Sequence, residues 1–190
     1  VFGRRDLPTS SLFSLMTFAP SALIYGMKLI KKHQFNIINA QFVIPSGLSA
    51  ALLAKWFHIP FVLSFIGGDL YDPSKGVSPH RYGILRWMIR MISKQAIAKT
   101  AISQDTKTRA IELHGVDPAI SVVPIGLVSS LAQPADLLAY GVPTGAFVCI
   151  SIGRLVARKG YETLIEAWNN VPDAHLIIIG DGLLLRTRTS

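Results

Sequence analysis

The stretch from Phe147 to Gly182 constrains the fold more than any other part of this chain. An apolar run, Phe147-Val148-Cys149-Ile150-Ser151-Ile152, stops at Gly153, and a basic loop, Arg154-Leu155-Val156-Ala157-Arg158-Lys159-Gly160, follows it. Leu164, Ile165, Ala167 and Trp168 then recur at helical spacing, and a second apolar run, Leu176 to Ile179, ends in Gly180-Asp181-Gly182. Strand, loop, helix and strand in that order make one βαβ unit. Its near-continuous apolar strands suit a parallel sheet covered on both faces.

Open parallel sheets bind their ligands at the carboxyl ends of the strands, where both of these loops lie. Arg154 and Lys159 set two cations beside a helix start, whose free N–H groups and dipole also favour an anion. The pair suits a diphosphate, because a guanidinium grips two oxygens in one plane and an ammonium adds a point charge. Glycines at 153 and 160 let the backbone come close. The formal net charge of +8 also points to an anionic partner: a nucleotide diphosphate, acidic lipid headgroups or nucleic acid. Nucleic acid is disfavoured, since the chain has no zinc-ligand spacing, no RNA-recognition signature and no interleaving of aromatic and basic residues.

These residues carry a resemblance. GRLVARKG, a helix and then HLIIIGDG look like the start of the C-terminal domain of the family 4 retaining glycosyltransferases. That family has two Rossmann-like domains, the GT-B architecture. The resemblance implies that Arg154 and Lys159 hold and stabilise the departing diphosphate of a nucleoside-diphosphate sugar, with no metal or other cofactor required. It also implies donor contacts at Gly153, Gly160, Gly180 and Asp181. Nearer the start, PSGLSAALLAKWFHIPFVLSFIGGD is similar to a segment of the family's N-terminal domain, whose glycine pair lies near the donor phosphates and maps onto Gly67 and Gly68. The family often has a histidine before that pair; Ile66 stands there, and no catalytic histidine is carried over. AISQDTKTRAIELHGVDPAISVVPIGL resembles the end of the family's first domain, without the aspartate usual in its closing turn.

The rest of the chain reads as alternating strands and helices. Ser11 to Met27 is uncharged, yet Pro20, Gly26 and several hydroxyls make it a poor membrane span; it reads as a loop and then a buried helix over 21–32. A strand over 36–41, a helix from near Ser46 to Trp56 and a strand over 60–65 form another βαβ unit. The Gly67-Gly68-Asp69 turn that follows reads either as a ligand loop or as a strand end with an Asp cap. The polar loop after it offers Asp69, Asp72 and His80 as acceptor-side candidates, although the last two would serve equally as turn residues. A helix over 82–99 carries Arg86, Arg90 and Lys94 on one stripe and Leu85, Met88, Ile89 and Ile92 on another. It reads either as an ordinary surface helix on the sheet or as a basic amphipathic helix that meets anionic membrane. A strand over 100–103, a helix over 104–114 stopped by Gly115, a strand over 120–124 and a short helix over 135–140 complete the series.

The expected fold class is therefore α/β, with two Rossmann-like parallel-sheet domains. An acceptor-side domain spans 1–124 with its start missing, a linker spans 125–145, and 146–190 begins a donor-binding domain cut off after its first βαβ unit. The start at Val1 and the ending LLLRTRTS suggest a fragment, with a frame change near Leu183. The family's Glu-x7-Glu element would lie past Ser190; Glu162 and Glu166 read as solvated neighbours one helix turn apart. Little or no catalysis is expected of this chain alone. The partners implied are a nucleotide-sugar donor and a glycan or lipid-linked acceptor of bacterial surface polysaccharide synthesis, handled in the cytoplasm or at the inner face of the plasma membrane. The alternative is a non-catalytic nucleotide-binding or membrane-docking module. A dinucleotide oxidoreductase is disfavoured, because no G-x-G-x-x-G follows a strand. The five histidines do not cluster, which gives no metal signal, and the lone Cys149 reads as an inert buried thiol.

Overall fold

The computed structural model describes residues 12–72, 78–126 and 133–182, excepting the side chains of residues 12–16 and Arg158. Pro73 to Lys75 of the polar loop, residues 127–132 and the tail after Gly182 lie outside that description. The chain is an α/β protein with parallel sheets, and it divides into two compact units, Val1–Gly126 and Leu127–Ser190.

In the first unit, β1 (Ile38–Gln41), β2 (Phe61–Phe65), β3 (Ala98–Ala101) and β4 (Ser121–Val122) lie side by side in sequence order, all parallel. Helices α1 (Leu12–Lys32), α2 (Leu48–Phe57), α3 (Gly83–Gln95) and α4 (Gln104–His114) precede or link the strands. Phe61, Leu63 and Phe65 of β2 are at most 1% exposed and pack with Val43, Leu70, Ile89 and Ile92 in one core. Burying a side chain of that size contributes ~1.5–3 kcal/mol, so the central strand anchors the unit. Thr100 of β3 donates its hydroxyl to Ser64 of β2 at 2.8 Å, satisfying polar groups on neighbouring strands.

Four helix assignments differ from the sequence reading. The first helix begins by Leu12 rather than near Ser21 and runs through Pro20. The hydroxyl of Ser21, next along, donates to the Thr17 carbonyl at 2.8 Å, one turn back on the same helix. Its burial is one-sided: Ser49 of α2 donates to the Ala19 carbonyl at 3.2 Å, while Ile24, Tyr25 and Leu29 face outward. Helix α3 ends at Gln95, not at Lys99, because the Ile97 N–H turns to the Phe61 carbonyl and Ala98–Ala101 pairs with β2. Sheet pairing there overrides the helical pattern. The segment before α2 is one π-turn, Val43–Gly47, rather than the start of the helix, and the short helix of 135–140 is a 3₁₀ turn at Leu138–Tyr140.

Helix α4 has a clear beginning and end. The Ser103 hydroxyl accepts the Thr106 N–H at 3.1 Å, and Gly115 closes the far end in the left-handed conformation at φ 63°. Its last residue, His114, is fully buried, with Nε2 3.0 Å from the Leu70 carbonyl and Nδ1 without a partner.

The second unit holds β5 (Phe147–Ile152), α5 (Tyr161–Trp168) and β6 (Ala174–Ile179), the βαβ order expected, with β5 and β6 parallel and in register from Phe147 opposite Ala174 to Ile152 opposite Ile179. A 3₁₀ turn, Ala157–Lys159, separates β5 from α5.

Burial lowers the His114 pKa from 6.5; the nearby Arg86, His80 and Arg90 charges add to this, and the Leu70 carbonyl opposes it. The unfolded chain therefore takes up a proton at a higher pH than the folded one does, so this contribution to stability is full above about pH 6.5. It is lost as the pH falls toward the lowered folded value. Denaturant midpoints measured between pH 7.5 and 5 should fall for the native sequence, and fall less steeply for His114→Gln.

Candidate functional site

In the second unit, the two strand-end loops are hydrogen-bonded to each other. The Gly153 N–H donates to the Ile179 carbonyl at 3.0 Å, and the Leu155 N–H to the Asp181 carbonyl at 2.9 Å. Leu155 and Tyr161 are buried, while Arg154 and Lys159 stay on the exposed side. The Lys159 N–H reaches the Val156 carbonyl at 2.9 Å and the Gly160 N–H the Ala157 carbonyl at 3.0 Å, which closes the basic turn. Gly160 then adopts φ 67°, a conformation that favours glycine, and α5 begins. The apolar residues hold the loop to its own sheet, and the two cations sit outward at the carboxyl end of β5, beside the start of a helix.

The glycines of this site do more than leave room for a ligand. A Cβ on Gly180 would collide with the Gly153 carbonyl, and one on Gly182 with the Leu155 carbonyl. A Cβ on Gly153 would lie 2.8 Å from the Tyr161 hydroxyl. Close packing of the loops thus accounts for these glycines without any ligand. Asp181 is exposed, and its Oδ1 accepts the Gly182 N–H at 2.7 Å.

In the first unit, Gly67 and Gly68 follow β2, with Gly67 at φ 101°. Asp69 is 4% exposed, and its carboxylate accepts N–H groups from Val43 at 2.8 Å, Ile66 at 3.1 Å and Gly67 at 2.9 Å. It therefore ties the loop after β1 to the loop after β2. Burial raises its pKa above the usual carboxylate value, and the amide donors offset only part of that. Asp72 is also buried, and its N–H donates to the fully buried Ser78 hydroxyl at 2.9 Å. The Ser78 Oγ is 2.8 Å from His80 Nδ1, while the His80 ring packs 4.7 Å from that of Tyr71. The Arg109 guanidinium lies 4.3 Å from the Tyr71 ring centre. Asp72 and His80 thus meet through Ser78, and Asp69 is engaged by the backbone.

The basic stripe of α3 is partly engaged as well. Arg90 donates Nε–H to the His114 carbonyl at 3.1 Å and packs below Gly115, capping the end of α4, while Arg86 and Lys94 are exposed. Leu85, Met88, Ile89 and Ile92 turn toward the protein as expected. The sequence reading missed a third stripe: Ile84, Trp87 and Met91 are 64%, 55% and 41% exposed. Their spacing of three and four residues was the available signal. Among the described residues, no group of three or more histidine, cysteine, aspartate or glutamate side chains is placed to hold a metal, and no helix is long and apolar enough to cross a membrane.

Comparison with known proteins places this architecture. The profile of Glycosyltransferase Family 4 matches residues 3–129, most of the chain, and the chain belongs to that family. Over 162 residues it is 30% identical to a Bacillus subtilis (strain 168) protein named as the teichuronic acid biosynthesis glycosyltransferase TuaC, covering 81% of this chain and 40% of that protein. Over 177 residues it is 27% identical to the UDP-Gal:alpha-D-GlcNAc-diphosphoundecaprenol alpha-1,3-galactosyltransferase of Escherichia coli, covering 86% and 45%. Among solved structures, HepE of Anabaena in complex with UDP and glucose superposes at a TM-score of 0.66 with 21% identity, over 94% of this chain and 48% of that one. Sucrose-phosphate synthase of Thermosynechococcus elongatus superposes at 0.68 with 18% identity, over 92% and 44%. The fold is GT-B, and the chain spans less than half the length of each of these proteins.

Two substitutions test the scaffold. Asp69→Ala leaves three amide donors without their acceptor, of which that of Val43 is buried, so a loss of ~1–3 kcal/mol is expected in chemical denaturation. Gly180→Ala should lower the thermal midpoint of the second unit, measured by protease resistance on heating, whereas Asp181→Ala should leave it nearly unchanged.

Proposed function

We propose that the full-length protein transfers a sugar, with retention of configuration, from a nucleoside-diphosphate sugar to a polysaccharide, lipid-linked or other glycan acceptor. The observation that carries this reading is the anchored loop with Arg154 and Lys159 on its exposed side, at the carboxyl end of β5. Departure of the donor diphosphate builds negative charge on its oxygens. A guanidinium and an ammonium held there lower the barrier more as that charge grows, since they stabilise the transition state beyond the ground state. No metal is needed for that role. Gly153 and Gly160 would let backbone approach the donor, with Gly180 and Asp181 supporting that loop, and Gly67 and Gly68 keep the donor-contact role that the family resemblance implies. Asp69 would set the shape of the acceptor-side loop, and Asp72 and His80 are the further acceptor-side candidates of that loop.

The names of the relatives support the substrate classes: one acts with UDP-galactose and a diphosphoundecaprenol-linked acceptor, and one is named for teichuronic acid. A lipid-linked acceptor would bring the protein to the cytoplasmic face of the plasma membrane as a peripheral protein, with the basic helix α3 toward anionic lipid. A non-catalytic nucleotide-binding module is the competing reading, and the two differ in turnover. In the full-length enzyme, Arg154→Ala and Lys159→Ala should each lower kcat by about 10²–10³-fold, as read by nucleoside-diphosphate release from the donor. A near-normal rate in either variant would overturn the assignment.

A further inference from the structure

The polar segment after β2 is built around one buried hydroxyl. Ser78 is fully buried; its Oγ accepts the Asp72 N–H at 2.9 Å and lies 2.8 Å from His80 Nδ1. Its carbonyl accepts the Arg81 N–H at 3.0 Å, which closes the 3₁₀ turn Pro79–Arg81 and sets the backbone of His80. The half-buried His80 ring packs 4.7 Å from the Tyr71 ring. The Arg109 guanidinium, held by Asp105 at 2.8 Å, lies 4.3 Å from the centre of that same tyrosine ring. Among the described residues, the Ser78 hydroxyl meets only the Asp72 N–H and His80 Nδ1, and His80 Nε2 has no hydrogen-bond partner. A hydroxyl carries one proton, and a buried one must give it to an acceptor. The Asp72 N–H is itself a donor, so the Ser78 proton goes to Nδ1.

We propose that Ser78 fixes His80 in the Nε2–H tautomer, and that this N–H donates to an oxygen of the acceptor sugar. This rests on the transferase reading above and deepens it. A neutral imidazole that accepts at Nδ1 carries its hydrogen on Nε2. Nε2 is then a donor and not a base, so its part is to hold the acceptor rather than to take a proton from it. An N–H without formal charge suits the uncharged hydroxyl or ring oxygen of a sugar, whereas a diphosphate is matched by cations such as Arg154 and Lys159. His80 also follows the carboxyl end of β2, the end of a parallel sheet at which ligands bind. A few polar groups of fixed direction are enough to orient a small ligand. Ser78, Tyr71 and Arg109 act as positioning residues: the first sets the tautomer, and the other two hold the plane of the ring.

Two measurements on the full-length protein test this. Nitrogen-15 spectra of the histidine rings, with the His80 signals assigned by their loss in His80→Gln, should show Nε2 protonated and Nδ1 bare. Ser78→Ala should bring in signal from a protonated Nδ1; where that variant does not fold, the native ring spectrum decides. Steady-state transfer is then read with UDP-galactose or UDP-glucose as donor. The probe acceptors are glucose, galactose, N-acetylglucosamine and N-acetylgalactosamine, each as methyl glycoside and as short-chain diphospholipid. With a pair that the native enzyme uses, His80→Ala should raise the acceptor KM about five-fold, the weight of one hydrogen bond, and leave the donor KM in place. His80→Gln, whose amide N–H reaches the position of Nε2, should recover most of that loss. His80→Asn, whose amide stands at the position of Nδ1, should not. A proton on Nδ1 in the native protein, a native acceptor KM in His80→Ala, or equal rescue by Asn and Gln would overturn the proposal and leave the transferase reading standing. No transfer by the native protein with any of these pairs would overturn the transferase reading, and the acceptor role of His80 with it.

Discussion

Three amide groups converge on the Asp69 carboxylate, and the arrangement of the strand ends in the first unit follows from that convergence. Two of the donors, Ile66 and Gly67, belong to the loop that leaves β2; the third, Val43, opens the π-turn that leads into α2. One side chain thus sets the relative position of two segments that the sheet itself would leave to drift beyond the last paired residues. Burial works against the charged form of this carboxyl, and the amides recover part of the cost. Such a tie gives rigidity to a glycine-bearing loop that the backbone alone would leave loose.

The second unit solves the same problem with backbone instead of a charge. Its two loops hydrogen-bond directly to each other, and they come close enough to do so because residues 180 and 182 lack side chains. Leu155 and Tyr161 fill the inside of the turn. What remains outward is the pair Arg154 and Lys159. The division of labour is by face: packing is decided on the inner side of the loop, and charge is presented on the outer side.

Much of this was legible in the sequence. The span of β5 and the limits of α4 were readable to the residue, because an apolar run ending at glycine and a Ser103 to Gly115 frame are strong local signals. The end of α3 was not, because Lys94 to Lys99 continues a helical pattern and only pairing with β2 decides that Ala98 starts a strand. The helix through Pro20 was hidden by a residue that usually breaks one. At the site, the residue types of the basic loop were legible, but the role of Gly180 was not, since a glycine required by a neighbouring carbonyl looks the same in sequence as one required by a ligand. Asp69 was similarly ambiguous: its partner at Val43 is far away in the chain, and no spacing rule links the two.

The glycines at 180 and 182 bear on how such a loop can diversify. Because their absence of side chain answers to the neighbouring strand's loop, they act as fixed rivets in a part whose outer rim is open to change. The residues between Gly153 and Gly160 that look outward can be exchanged without disturbing that base, whereas a side chain at 180 or 182 would force the two loops apart. The separation lets chemistry vary on a scaffold that cannot.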